Sequence, residues 1–277
     1  MLSVRGTGAA AQVATLLLAA LVVIPGWPAS AAPSPSPGEG TESLLGNDVS
    51  WPQCDKNLPK GQSFAIIGVN NGLANNTNPR LTEPLDWAAG SSGASSQPEV
   101  SLYVNTANPG RSGSWWPSSN AYPIGSAVNN PYGPCREKDY GKACAYMYGY
   151  AKAYDDAYIR GISNPSEYVW WLDVETENSW STTDKDANRA VLEGMTDFFR
   201  SIDAEGVGLY STGLQWSRIV GTVSRSSNLY SLPSWLAGAR TVTGAKANCS
   251  QAPLTAGGEV ELTQFVDRKF DYNHSCD

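Results

Sequence analysis

Along the chain, short and nearly continuous apolar runs alternate with stretches whose apolar residues recur at helical spacing. The runs Gly46–Trp51, Phe64–Val69, Glu99–Asn105, Tyr168–Val174, Val207–Ser211, Ser234–Ala237 and Glu261–Val266 have the length and composition of strands buried on both faces. Between Asp184 and Glu205, residues Ala187, Ala190, Val191, Met195, Phe198 and Ile202 share one face of a predicted helix. Thr183 and Asp186 have capping-box spacing at its start, and Gly206 stands where a terminating glycine is expected. A second helix is predicted over Ala143–Arg160, with Tyr146, Tyr150, Tyr154 and Ala157 on one side and Gly161 as its stop. That tyrosine stripe reads as core. A shorter helix is predicted from Pro84 to Gly90. Strands alternating with helices predict an α/β fold with a parallel sheet inside and helices outside, and the length suits a single TIM-type (β/α) barrel.

The pattern fails at two places. Before Gly46, Arg5 precedes an apolar stretch from Ala9 to Ile24, and Ala29-Ser30-Ala31 offers small residues for cleavage. Residues 1–31 therefore read as a secretory signal rather than a membrane anchor, because the apolar run is short and ends in Pro25, Gly26 and Pro28. Residues 32–45, rich in Pro, Ser, Gly and Glu, read as a linker. A single domain over 46–277 follows, and no membrane association is expected once the signal is removed. The second failure lies between Asn105 and Cys144, where Pro, Gly, Ser and Asn dominate around Trp115 and Trp116. A loop this long is usually functional. Its two tryptophans have two readings, packing of the loop onto the domain or stacking against a sugar.

Composition narrows the partner. With 26 acidic against 19 basic residues the formal charge is −7, and no basic patch or Lys/Arg-rich helix is visible. Nucleic acid and anionic membrane surfaces are therefore disfavoured as ligands. Abundant Trp, Tyr, Asn, Ser and Gly suit a secreted protein, expected as a monomer, that handles neutral polar ligands. Export permits disulfides, and Cys135–Cys144 with Cys249–Cys276 is the favoured pairing of the five cysteines, a bond to Cys54 being the competitor. With no Cys-x-x-Cys and His274 as the only histidine, neither zinc nor a Ser-His-Asp triad is favoured, and His274 reads as a surface or loop residue. No metal or other cofactor is expected.

Carboxylates are the candidate chemistry. Asp173 and Glu175 end an apolar strand and, as i and i+2, point to one face with Cα atoms about 6.5 Å apart. Such a pair disfavours double ionisation and burial raises a carboxyl pKa, so one acid can stay protonated beside a carboxylate, the combination glycosidic cleavage needs. Asp48 lies in the first strand-like run. Asp271 alone reads as a loop residue.

Taken in order, several strings resemble glycoside hydrolase family 25, the lysozyme-type muramidases. They are Asp48-Val49-Ser50 with Gln53, Phe64 to Val69, Leu172-Asp173-Val174-Glu175, Gly208-Leu209-Tyr210-Ser211 with Trp216, Trp235-Leu236-Ala237, and Thr263-Gln264-Phe265 with Asp271-x-Asn273. The resemblance implies an irregular eight-strand barrel that cuts the β-1,4 bond of peptidoglycan or another N-acetylated glycan. It implies Glu175 as general acid, Asp173 as orienting or electrostatic support, Asp48 and Asp271 as lining acids, and Tyr103, Tyr210 and Gln264 as substrate contacts. Leu102-Tyr103-Val104-Asn105 departs from the family's Tyr-His-Phe, Thr263 and Phe265 replace Trp and Tyr, and the loop after Asn105 is longer. These departures motivate an alternative, a non-catalytic glycan-binding protein on the same barrel.

Overall fold

In the computed structural model, which describes residues 44–54 and 56–276, eight strands close into one barrel in sequence order. The strands are β1 (Leu45–Val49), β2 (Ala65–Gly68), β3 (Val100–Asn105), β4 (Val169–Asp173), β5 (Gly206–Ser211), β6 (Ser234–Ala239), β7 (Val260–Asp267) and β8 (Phe270–Ser275). Pairing is parallel from β1 through β7, while β8 runs antiparallel to both β7 and β1. This is the irregular barrel expected. The expected signal, 1–31, lies outside the described residues, as does all of the linker except Leu44 and Leu45, and Leu45 opens β1.

Five helices accompany the strands: α1 (Thr82–Ala88), α2 (Lys142–Tyr158), α3 (Lys185–Ser201), α4 (Gly213–Ile219) and α5 (Val242–Asn248). The outward residues Ile67, Leu102, Val104, Trp170, Leu172 and Leu209 join one large core with the helices. The alternate residues Ile66, Trp171, Trp235 and Leu262, with Phe64, fill the barrel interior, and Tyr103 and Tyr210 pack against them. This period-2 division is what a sheet buried on both faces requires. Large inner rings need small neighbours. A side chain on Gly68 would lie 2.6 Å from the Tyr103 ring, so the glycine makes room for a phenol that reaches the carboxylates.

In the outer shell α2 and α3 pack closely against each other. Gly149 permits the close approach, since a Cβ there would sit 1.9 Å from the Val191 carbonyl oxygen. Trp170 of β4 stacks on Phe199 of α3, their centroids 4.4 Å apart, and Tyr150 and Tyr154 of the tyrosine stripe meet Phe198 edge-on. The start of α3 differs from the capping-box expectation. Asp184, not Thr183, caps the helix by accepting the Ala187 N–H. The helix also ends a turn before Glu205. Asp203 adopts φ 54° and turns the chain, so Gly206 begins β5 rather than stopping the helix.

The segment between β3 and α2 carries little regular structure, a 3-10 turn at Gly110–Ser112 and one bridge between Ala121 and Ala127. It is fastened at its end by the Cys135–Cys144 disulfide. Cys249–Cys276 ties the segment after α5 to the end of β8, and Cys54 is buried with a free thiol.

Candidate active site

At the end of β4, alternation settles where the acids point. Leu172 and Val174 lie in the helix-facing core, so Asp173 and Glu175 face the opposite way, over the barrel interior. Glu175 lies two residues past the end of β4, but the chain stays extended there. The Val174 N–H donates to the Tyr210 carbonyl, and the Ser211 hydroxyl donates to the Val174 carbonyl. On the far wall, the antiparallel β1–β8 register sets Asp48 directly opposite Asp271. Asp48, Tyr103, Asp173, Glu175, Tyr210 and Asp271 thus line one cavity of about 340 Å³, with Trp235 and Gln264 also in its wall. Among the described residues, no lysine or arginine lines it.

Neutral side chains hold the acids in place. Asp48 Oδ1 accepts from Gln264 Nε2 at 3.0 Å and from Asn273 Nδ2 at 2.8 Å. Gln264 in turn accepts from the Tyr210 hydroxyl, and Asn273 from the Trp235 indole N–H. Asp271 Oδ2 accepts from Gln53 Nε2 at 3.0 Å. Asp173 Oδ2 accepts from Asn105 Nδ2 at 2.6 Å, while its Oδ1 is buried with no hydrogen-bond partner among the described residues.

Amide donors only partly offset burial, a cation (Lys56) acts on Asp271 alone, and all four acids are shifted upward. Burial pushes Asp48 up to about 7, and the nearby Asp271 adds to the shift against the pull of Gln264 and Asn273. Asp173 rises well above the carboxylate range, first by burial and then by the Glu175 charge, with the Asn105 hydrogen bond opposing. Glu175, half-buried, is raised by burial and then by Glu177 and Asp271. Asp271 is raised by burial, which Gln53 and the Lys56 charge oppose. Burial and the surrounding carboxylates also push the Tyr103 and Tyr210 phenols up, so both are protonated donors at neutral pH. The arrangement can hold protons on carboxyl groups near pH 7, beside hydroxyls aimed into the same space.

Seven residues expected at a site, the four acids with Tyr103, Tyr210 and Gln264, therefore meet in one cavity. Trp115 and Trp116 do not line it. Trp116 lies against Tyr148, centroids 5.1 Å apart, and its indole N–H donates to the Asp139 carbonyl, whereas Trp115 lines a separate cavity of about 290 Å³. Asp271 is in β8 rather than a loop, and so is His274. The strand alternation turns His274 away from the face that carries Asp271 and Asn273. Asn105 and Asn273 were missed as site residues. Both were accessible to period-2 reasoning, at i+2 from Tyr103 and from Asp271.

No protein-family profile matches the sequence, and no curated protein is significantly similar to it. Solved structures do share the fold. A muramidase from Trichobolus zukalii superposes with a TM-score of 0.52 at 17% identity, over 84% of this chain and 93% of that one. A bacterial lysozyme from Streptomyces coelicolor superposes with a TM-score of 0.50 at 17% identity, over 86% of this chain and 94% of that one. The architecture is that of the eight-stranded lysozyme-type barrels. At this identity the likeness speaks for the fold alone.

Proposed function

We propose that the chain is an exported glycoside hydrolase that cleaves a β-1,4 bond in cell-wall peptidoglycan, with Glu175 as the general acid. The observation that carries this reading is the meeting of Asp48, Asp173, Glu175 and Asp271 in one cation-free cavity where burial raises each of them. Cleaving a glycosidic bond requires a proton delivered to the leaving oxygen and negative charge near the developing oxocarbenium ion. Glu175 is suited to the first task, being the raised acid at the less buried rim of β4. A proton it holds faces open space, and once given to the leaving oxygen it is regained from the water that adds to the anomeric carbon.

Asp173 has a different task. With Oδ2 fixed by Asn105, its unpartnered Oδ1 accepts the N–H of a 2-acetamido group, turning the amide oxygen toward the anomeric carbon. The substrate then assists its own cleavage, a recognised variant of the two-carboxylate scheme. Asp48 and Asp271 line the site and tune its charge, the Tyr103 hydroxyl donates to a sugar oxygen, and the Tyr210 oxygen, whose O–H donates to Gln264, accepts from a sugar hydroxyl. The shared fold with a muramidase supports peptidoglycan as the substrate. Two disulfides, together with the signal-like leader, support an extracellular location.

The test is digestion of purified peptidoglycan with the exported protein and with Glu175→Gln, followed by borohydride reduction and mass spectrometry of the new ends. Reduced N-acetylmuramic acid ends from the wild type, absent with the variant, are expected. No release by the wild type, with retained wall binding, would establish the glycan-binding alternative instead.

A further inference from the structure

The long segment between β3 and α2 builds a cavity of its own. Trp115, Tyr148, Lys152, Asn75, Ser112 and Asn178 are among its walls, and its volume is about 290 Å³. The adjacent tryptophans have different environments. Trp116 is pinned between Tyr148 and Tyr140 and spends its indole N–H on Asp139. Trp115 is 40% exposed, and its indole N–H has no partner among the described residues. Its ring is nevertheless held in place, by Tyr122 at 5.6 Å, Tyr148 at 6.0 Å and the Lys152 ammonium 5.0 Å from the ring centroid. A fixed, half-exposed indole edged by hydroxyl and amide groups is a platform for a ring that is apolar on its face and polar at its rim.

Charge says which ring. The cations on this side of α2 are already satisfied. Lys152 pairs with Asp155, which also accepts from the Tyr122 hydroxyl, and Arg160 pairs with Asp156. With no unbalanced charge facing it, the cavity fits a neutral sugar better than a phosphate or a carboxylate.

Position links it to the carboxylates. The Thr106 N–H donates to the Asp173 carbonyl and the Asn108 N–H to the Ser179 carbonyl, so the segments following β3 and β4 are zipped together. Asn178 and Ser179 line both the Trp115 cavity and a neighbouring cleft of about 790 Å³, and the cleft's wall includes Thr176, the residue after Glu175. From these placements we infer that the Trp115 cavity is a distal subsite for a neutral N-acetylated pyranose of the same β-1,4 glycan strand that enters the carboxylate cavity. This rests on the glycosidase reading above, and it makes the chain a reader of long strands rather than of short fragments.

The experiment uses full-length exported Glu175→Gln, which binds without cutting, and titrates it calorimetrically with the β-1,4-linked N-acetylglucosamine hexasaccharide. Adding Trp115→Ala weakens binding about tenfold, the scale of one lost aromatic stacking contact. Ser112→Arg, at an exposed lining residue of the same cavity, produces a similar loss by filling it and decides the matter if the alanine variant does not fold. Unchanged hexasaccharide affinity in the folded variants, or no hexasaccharide binding by Glu175→Gln itself, overturns the inference. Failure of the glycosidase reading shows separately, as wild-type protein that releases no reducing ends while binding stays dependent on Trp115.

Discussion

Two regions of this molecule bury acidic side chains, and they treat them in opposite ways. Around α2 and α3 each buried acid has a strong donor of its own. Asp156 pairs with Arg160, Asp155 with Lys152 and the Tyr122 hydroxyl, Glu193 with the hydroxyls of Tyr132 and Ser227, and Asp197 with that of Tyr146. In the barrel mouth four acids face one another, and the side-chain donors to Asp48, Asp173 and Asp271 are carboxamides. Burial alone does not make the difference. Asp156 is as deeply buried as Asp173 and is itself pushed up to about 6, but there Arg160 opposes the shift, whereas at Asp173 the Glu175 charge reinforces it. An acid given a cation is a structural element, while acids given each other become places to keep a proton.

The comparison breaks most visibly in the rate. Glu175→Gln is expected to lower peptidoglycan cleavage by about 10²–10⁴-fold, the usual contribution of a positioned general acid. Glu193→Gln, which changes a tyrosine-bound acid on α3, leaves the rate within about twofold, because general-acid loss needs a group at the reacting bond. Release of reducing ends per unit of folded protein measures both. Equal losses in the two variants would show that the mouth has no special chemistry.

The next effect is on stability and has the reverse pattern. Asp156→Ala leaves the buried Arg160 guanidinium without its carboxylate and is expected to destabilise the fold by about 3–5 kcal/mol. Asp48→Asn, in the mouth, removes a group whose charged form is unfavourable there, and should cost far less or nothing at pH 8. Urea unfolding of the two variants at that pH gives the contrast directly.

The same physics explains how much of this was legible beforehand. Seven strands were readable because both of their faces are buried, so Tyr168 to Val174 and its counterparts are continuous apolar runs. β8 was not, because Phe270-Asp271-Tyr272-Asn273-His274-Ser275 alternates ring with polar group and is joined to β7 by Arg268-Lys269. Arg268 takes φ 61° without the glycine or asparagine that advertises such a turn. The short helices α4 and α5, seven residues each, hold too few turns to display a period. Of the site, the acids were visible as strings, but their meeting was not. The Asp48–Asp271 contact depends on the antiparallel closure by β8, the one strand that gave no signal. Trp115 and Trp116 looked alike in sequence, and only the packing of Tyr140 and Tyr148 separates a covered ring from an open one.

A smaller effect is expected in the pH dependence of stability. For Asp48 the folded-state pKa, about 7, lies above the ordinary value of 3.8. Between those values the unfolded chain has released this proton and the folded chain retains it, so stability falls as pH rises through the interval and levels off above it. Asp173 and Asp156 act in the same direction. Wild type is therefore more stable at pH 5 than at pH 8. Asp48→Asn should narrow that difference by on the order of 2 kcal/mol, from about 1.4 kcal/mol per pH unit. A wild-type protein more stable at pH 8 would contradict a mouth that stores protons.

The mildest intervention tests how the two regions are joined. Asn105 donates its side-chain amide to Asp173, its backbone N–H donates to Asn70 Oδ1, and Asn70 Nδ2 donates to Asp156, so one buried polar chain runs from the cation-free mouth to the Asp156–Arg160 pair. Asn105→Ala keeps the backbone link and removes only the hydrogen bond that fixes Asp173. A hydrogen bond of this kind contributes about 0.5–1.5 kcal/mol, so a loss in kcat of up to about tenfold is expected. The direction of the accompanying pH shift is the sharper readout. The lost bond had been lowering the Asp173 pKa, so the limb of the rate profile that belongs to Asp173 moves to higher pH. Asn105→Asp should be worse than alanine, since it adds a fifth acid to a cavity with no cation to receive it. A variant series in which kcat falls with no movement of the profile would mean that Asn105 shapes the mouth without touching its proton.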